Sequence, residues 1–479
     1  MAMKKLQTDV AVIGAGTAGL AAYRAAKAGG KRALLIEGGP YGTTCARVGC
    51  MPSKLLIAAA EAAHAIAEAP GFGVHGGALR IDGRAVMARV KAERDRFVGF
   101  VLEGVAHIDE ADRLRGYARF LDAQHLQLDD HTVIEAERIV IATGSRPHVP
   151  PVLKQLGSRL IVNDDVFEWD DLPESVAVVG SGVIGLELGQ ALHRLGVRVA
   201  IFGRSNRLAQ LSDPEVSAAA VRILGSELDL RQQTTIISAE NEGERVHLRY
   251  RDADGREHSE HYRYVLAASG REPNVDQLGL NSTGIALGEH GVPLFDTHTM
   301  QCGSSAIFIA GDANAEHPLL HEAADQGRIA GTNAAAYPDV KTGLRRAPLN
   351  IAFTDPQIAV LGQAWHELPT SGICCGQVAF EDQGRSRVMR QNRGLLRVYA
   401  DYESQRFLGA EIIGPRAEHL AHLLAWACQS GMTVPAMLDM PFYHPVIEEG
   451  VRTALRQLNE ALGREQAPDG RCTDCTPGV

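Results

Sequence analysis

The sequence predicts an α/β chain built on two parallel sheets, and three observations predict it. A Gly-x-Gly-x-x-Gly turn stands at 14–19 and again at 180–185. Each turn follows a short β-branched run (9–13 and 175–179) and opens a helical stretch. Each helix is followed by a second apolar run, 32–37 and 198–202, so strand, helix and strand recur in the same order. At 479 residues the chain exceeds one ordinary domain, and two to four are expected.

In the first repeat, 9–13 reads as a buried strand and the Ala-rich stretch to about residue 28 as a helix. Gly14 makes the tight turn, Gly16 lets backbone approach a pyrophosphate, and Gly19 lets helix pack on strand. The helix start then faces phosphate charge. Glu37, twenty-three residues after Gly14, is placed to accept hydrogen bonds from a ribose diol. A mixed polar stretch with a helix over 84–100 follows, then short strands over 116–134 and a buried strand over 138–145. Prolines 147, 150 and 151 mark a boundary.

The second repeat carries Gly180, Gly182 and Gly185, a helix to about 195 and a strand over 198–202. The run 264–274, with Gly270 and Arg271, echoes 139–147. Counting from Gly180, the place of Glu37 falls on Gly203, followed by Arg204. A free ribose 2′-hydroxyl favours an acid there, whereas a 2′-phosphate repels an acid and attracts Arg. Arg204, with Arg207 nearby, therefore leans to NADP(H); the bland alternative is a solvated loop charge. Further on, a buried strand ends in Gly311-Asp312, and a helix is expected over 321–335. Strands near 378, 395–400 and 406–413 precede a helix over 417–430 and an amphipathic helix ending near 462. Pro445 suits a first helical position, which makes His444 an N-cap and puts Glu449 one turn in.

Composition narrows the function classes. Hydrophobic residues make up 45% and charged residues 22%, an ordinary globular balance. Net charge is −10 and basic residues form no long run, which argues against nucleic acid as the main partner. No run of about 18 uninterrupted apolar residues occurs, so no membrane span is expected. The start lacks a signal-peptide pattern. Eight cysteines are too sparse for a disulfide scaffold, so a reducing, cytoplasmic setting is expected.

Cys45 and Cys50 straddle Gly49 just before a helical run from Lys54 to about 68. Three readings stand: a structural bridge, half a metal site, or a redox dithiol. A bridge closing so small a loop adds little to a chain with a large core. Metal pairs are spaced more tightly and need a second pair. A helix start and Lys54 both favour a thiolate.

The stretch 42–54 resembles the active-site loop of the flavin-dependent pyridine nucleotide–disulfide oxidoreductases, which include dihydrolipoamide dehydrogenase, glutathione reductase and mercuric reductase. The resemblance runs along nearly the whole chain. It implies two Rossmann-like nucleotide-binding domains plus a C-terminal α+β dimerisation domain: 1–150 and 273–346 for FAD, 151–272 for NAD(H) or NADP(H), 347–465 for dimerisation, and 466–479 a tail. FAD would be held by Gly14, Gly16, Gly19, Glu37, Thr43, Thr44, Ala118, Thr143, Gly144 and Asp312. The second nucleotide would be held by Gly180, Gly182, Gly185, Arg204, Gly270 and Arg271. Cys50 would lie against the flavin and Cys45 would exchange with substrate. Lys54 would pair with Glu187. His444 and Glu449 match the family's acid–base pair, which comes from the other subunit, so a homodimer with a shared active site is implied.

The implied function is dihydrolipoyl dehydrogenase-like: a small or protein-bound dithiol oxidised through FAD and the cysteine pair. Val183, where glutathione reductases carry a covering Tyr, resembles the lipoamide enzymes. Phe442, where those enzymes often carry a second His, departs from them. The alternatives are an NADPH-dependent disulfide reductase of the glutathione or mercuric type, and a non-catalytic flavoprotein; mercuric reductases lack the His-Pro element. Cys302, Cys374, Cys375 and Cys428 read as packing or incidental thiols. No metal ligands are expected. The Cys472-x-x-Cys475 ending reads as incidental, or as a shuttle dithiol.

Overall fold

A computed structural model describes residues 3–463. The tail with Cys472 and Cys475 lies outside the described residues. Both glycine turns fold as expected. Strand Lys4–Ile13 feeds helix Thr17–Ala28 and strand Ala33–Glu37; strand Ser175–Val179 feeds helix Val183–Arg194 and strand Arg198–Phe202. In both repeats a Cβ on the third glycine would collide with the carbonyl of the first, so only glycine lets the helix start this close to the turn.

Contacts divide the chain into two units. The first comprises Met1–Leu55, Ala88–His148 and Gly270–Arg345. Its seven-stranded sheet runs Arg113–Arg115, Ala33–Glu37, Lys4–Ile13, Thr132–Ile141, His125–Leu128, Ala118–Phe120, with Ile307–Ile309 also paired to Thr132–Ile141. Val12 stands between Leu35 and Val140, and Phe308 is on the far side of Val140, all parallel. Helix Leu320–Ala336 packs on helix Thr17–Ala28 at backbone contact, because side chains at Gly327 and Gly331 would collide with the carbonyls of Ala18 and Ala22. The echoing segments 139–147 and 264–274 do more than repeat. Their ends pair directly, Ser145–Pro147 against Arg271–Pro273, as a two-stranded ribbon.

The second unit takes 56–87, 149–269 and the chain from Arg346 on. Its parallel sheet runs Asp229–Arg231, Arg198–Phe202, Ser175–Val179, Tyr264–Ala267, Leu160–Ile161. The sequence reading assigned nothing over 205–263. Helix Pro214–Gly225, capped by Asp213, and an antiparallel meander of Thr235–Glu242, Arg245–Arg251 and Glu257–Tyr262 occupy it. Val246, Leu248 and Tyr250 point inward while their neighbours face solvent. The last sheet is antiparallel, in the order Leu349–Ala352, Gln357–Gly362, Phe407–Gly414, Leu395–Asp401, Ile373–Ala379. Helices Ala417–Gln429 and Glu449–Ala461 cover it, and their apolar faces complete one core with Leu396, Val398 and Ile412.

One expectation changes. The amphipathic helix starts at Glu449 with Glu448 as its cap, so Pro445 is not a first helical residue and His444 is not an N-cap. Val446 N–H donates to the Glu449 carboxylate, which holds 444–448 as a turn ahead of the helix. By length and composition alone the helical stretch Thr44–Phe72, at a mean hydropathy of 1.2, is apolar enough to cross a membrane, a test that a core helix of a globular protein also passes. Its alanines raise the average while Lys54 and Glu61 interrupt the run.

Candidate active site

Thr43 takes a positive φ of 59° and its hydroxyl accepts from Ala46 N–H, starting the one-turn helix Thr44–Val48 that carries Cys45. Cys50 is the first residue of helix Cys50–Glu68. The sulfurs are therefore in unlike surroundings: Cys50 is exposed at a helix start and Cys45 is half-buried. The Cys50 sulfur beside it, and burial, push the Cys45 thiol up, and Lys54 only partly offsets them. The helix start favours negative charge at Cys50.

The residues expected around a dinucleotide in the first unit are placed as follows. Both Glu37 oxygens are held at the strand end by backbone N–H groups, Oε2 from Ala15 at 2.8 Å and Oε1 from Gly39 at 2.7 Å. Asp312 Oδ2 accepts from Ser145 Oγ at 2.7 Å, and Arg271 Nε donates to that same hydroxyl at 2.8 Å. Arg271, expected at the second nucleotide, thus sits with Asp312 in the first unit. Gly144 (φ 68°) turns the chain between Thr143 and Ser145, while Ala118 opens an edge strand and is buried. The hydroxyls of Thr143 and Tyr41 are buried without a hydrogen-bond partner among the described residues, and a side chain at Gly16 would meet only open space. Orphaned hydroxyls beside an open glycine turn are what a bound dinucleotide would complete, so these residues fit FAD. Ser145 and Tyr41 were missed from sequence; neither lies in a glycine turn or the cysteine loop.

In the second unit Gly182 caps helix Val183–Arg194 and also borders open space. Gly185 lies in its first turn, while Gly270 (φ 121°) precedes the ribbon. Arg204 is exposed and makes no ion pair among the described residues. Glu187, further along that helix, is buried and accepts from Phe353 N–H at 2.9 Å. Two turns from it, Arg194 is 4% exposed and spans Glu227 (Nε to Oε1, 2.6 Å) and Asp355 (Nη1 to Oδ2, 3.0 Å).

His444 and Glu449 do meet. His444 Nδ1 lies 3.1 Å from Glu449 Oε1, Val446 N–H reaches Oε2 at 3.1 Å, and Arg452 Nη2 stands 3.5 Å from Oε1. Glu449 is buried, and the imidazole is mostly exposed. A carboxylate fixed by backbone and guanidinium orients the ring through Nδ1 and leaves Nε2 to work. Away from these regions, the meander brings ligand atoms of Glu242, His247 and His261 within 4.8 Å of one another, a group that a reading without metal ligands did not anticipate.

Two glycine-turn nucleotide folds, a dithiol at a helix start and a carboxylate-oriented histidine define a flavin-linked dithiol oxidoreductase. The chain belongs to the pyridine nucleotide-disulphide oxidoreductase family: its profile matches residues 8–327, and that of the family's dimerisation domain matches 349–455. It is an FAD-dependent enzyme that also uses a pyridine nucleotide, and the dimerisation domain supports a homodimer. Relatives include the dihydrolipoyl dehydrogenase of Pseudomonas aeruginosa, 32% identical over 95% of this chain and 99% of its own length. The mercuric reductase of Shigella flexneri is 32% identical over 94% and 81%. The solved HOCl-induced flavoprotein disulfide reductase RclA from Escherichia coli shares the fold, with a TM-score of 0.78 at 22% identity, over 96% of this chain and 100% of that one.

Proposed function

We propose that the chain oxidises or reduces a dithiol/disulfide substrate of the lipoamide kind, as its dihydrolipoyl dehydrogenase relatives are named for. The carrying observation is the 3.1 Å contact between His444 Nδ1 and buried Glu449. Exchange needs a thiolate nucleophile and a protonated leaving group. With Glu449 holding Nδ1–H, Nε2 of His444 of the partner subunit takes the proton of the attacking substrate thiol. The substrate sulfur then bonds to Cys45 Sγ as the Cys45–Cys50 bond breaks, and Cys50 leaves as a thiolate at the helix start. FAD, when bound, carries the electron pair between this dithiol and the nicotinamide. The sparse cysteines support a reducing, cytoplasmic setting.

One observation favours a second reading, NADPH-driven reduction of a disulfide. The acid expected on the coenzyme's ribose is Gly203, with Arg204 next to it. The test is turnover with dihydrolipoamide, lipoamide, glutathione disulfide, a thioredoxin-like protein and mercuric ion, using both coenzymes. Lipoamide-type turnover at least tenfold above the other acceptors is expected. Turnover confined to another acceptor would reject the first reading, and an NADH preference above tenfold would reject the role of Arg204. A non-catalytic flavoprotein would show no turnover with any of them.

A further inference from the structure

The second repeat lacks the acid of the first, and the structure holds something else in its place. Gly203 directly follows strand Arg198–Phe202. Its N–H donates to Arg231 O and its carbonyl accepts from Thr234 N–H, so the neighbouring chain segment 231–234 wraps it on both sides. A Cβ at position 203 would collide with Gln232 Oε1 and stand 2.7 Å from Ser181 Oγ. Ser181 belongs to the glycine turn, and its hydroxyl donates to Arg207 O. The volume in which an acidic side chain would begin is therefore taken by the amide of Gln232, just past the neighbouring strand Asp229–Arg231. That amide is anomalous. Both Nε2 and Oε1 are buried, and neither has a hydrogen-bond partner among the described residues. A buried amide that leaves all its hydrogen bonds unmade costs stability and calls for a partner the chain itself does not supply. The exposed guanidinium of Arg204 is the next residue after Gly203.

We infer that Gln232 is a specificity-determining residue for the pyridine nucleotide. It keeps position 203 free of an anion and gives the ribose site a neutral N–H donor next to Arg204. A carboxylate suits a free ribose diol because it accepts from both hydroxyls; an amide donor with a guanidinium suits a 2′-phosphate, which has only acceptors at neutral pH. This rests on the reading of Arg204 above and adds to it the residue that excludes the acid.

The test measures flavin reduction and steady-state turnover of the holoenzyme with NADPH and NADH, for wild type, Gln232→Glu, Gln232→Ala and the double variant Gly203→Glu/Gln232→Gly. Gln232→Glu is isosteric and changes only charge and donor character. Its kcat/KM ratio of NADPH to NADH should fall at least tenfold, with the change in KM for NADPH rather than in kcat. Gln232→Ala should fall less, through loss of the donor alone. The double variant, which restores an acid and clears its space, should fall furthest. Bound-flavin absorbance reports that each variant is assembled. Ratios within threefold of wild type for both Gln232→Glu and the double variant would overturn the inference, even with Arg204 upheld by an Arg204→Ala loss of NADPH turnover. A wild-type preference for NADH would instead reject the Arg204 reading, whatever Gln232→Glu does to the ratio.

Discussion

Replacing Glu449 by Gln tests the acid–base pair with the least change of shape. Three donors converge on that carboxylate: His444 Nδ1, Val446 N and Arg452 Nη2. An amide has one oxygen and turns an N–H₂ group to whichever donor the oxygen does not face. With the oxygen kept on Val446 N–H, the amide nitrogen faces both His444 Nδ1 and Arg452. The His444 hydrogen bond to a charged, buried group is then lost, about 1.5–3 kcal/mol, together with the longer 3.5 Å contact from Arg452. The exposed imidazole recovers part of that from water, so about 1.4–2 kcal/mol remains, a tenfold to thirtyfold loss of kcat/KM. The assay is dithiol or disulfide turnover across pH, with thermal midpoint and dimer state measured in parallel. Glu448→Gln, at the neighbouring helix cap, is the control and should stay within threefold. A folded, dimeric Glu449→Gln within threefold of wild type, or a larger loss in Glu448→Gln, would refute the assignment of the pair.

Cys45→Ser and Cys50→Ser should each lower dithiol/disulfide turnover by at least about a thousandfold, as expected when members of one covalent unit are removed singly; a variant retaining a tenth of the wild-type rate would contradict the exchange step. Burial pushes the Glu227 carboxyl up, and the Arg194 guanidinium more than offsets this, so its pKa is held below the usual value of 4.5. Its stabilisation is then fully present above pH 4.5 and is lost as pH falls through the lower folded value. Glu227→Gln should cost about 3 kcal/mol at pH 7, near the low end for a broken buried pair because Asp355 still engages Arg194. In thermal scans the deficit should narrow only below about pH 4.5. Gly331→Val should drive a side chain into the Ala22 carbonyl and cost about 1–3 kcal/mol or more, read as a lower thermal midpoint and weaker flavin retention. An unchanged midpoint would mean the two helices separate freely.

What was legible in the sequence was local. Gly14 to Gly19, Cys45 with Cys50, and His444 with Glu449 are each fixed by spacing within one turn or loop, and each folds as a unit with its partners a few residues away. The helix boundary at Glu449 was misjudged because Pro445 satisfies a local rule that the Val446–Glu449 hydrogen bond overrides. What was not legible depends on register between segments far apart. Ser145 meets Asp312 across 167 residues. Arg271 reaches Ser145 only because two echoing segments pair at their ends. The meander is legible in the alternation of Val246, Leu248 and Tyr250 and in the turns at Gly243 and Gly255, but it carries no glycine-turn signature of a nucleotide fold. Gln232 is the sharpest case. The missing acid was countable from Gly180. The residue filling its place directly follows the neighbouring strand Asp229–Arg231, and only the hydrogen bond from Gly203 N–H to Arg231 O sets it opposite. An absence in one strand and an unsatisfied amide in its neighbour are thus one feature, which one-dimensional reading divides in two.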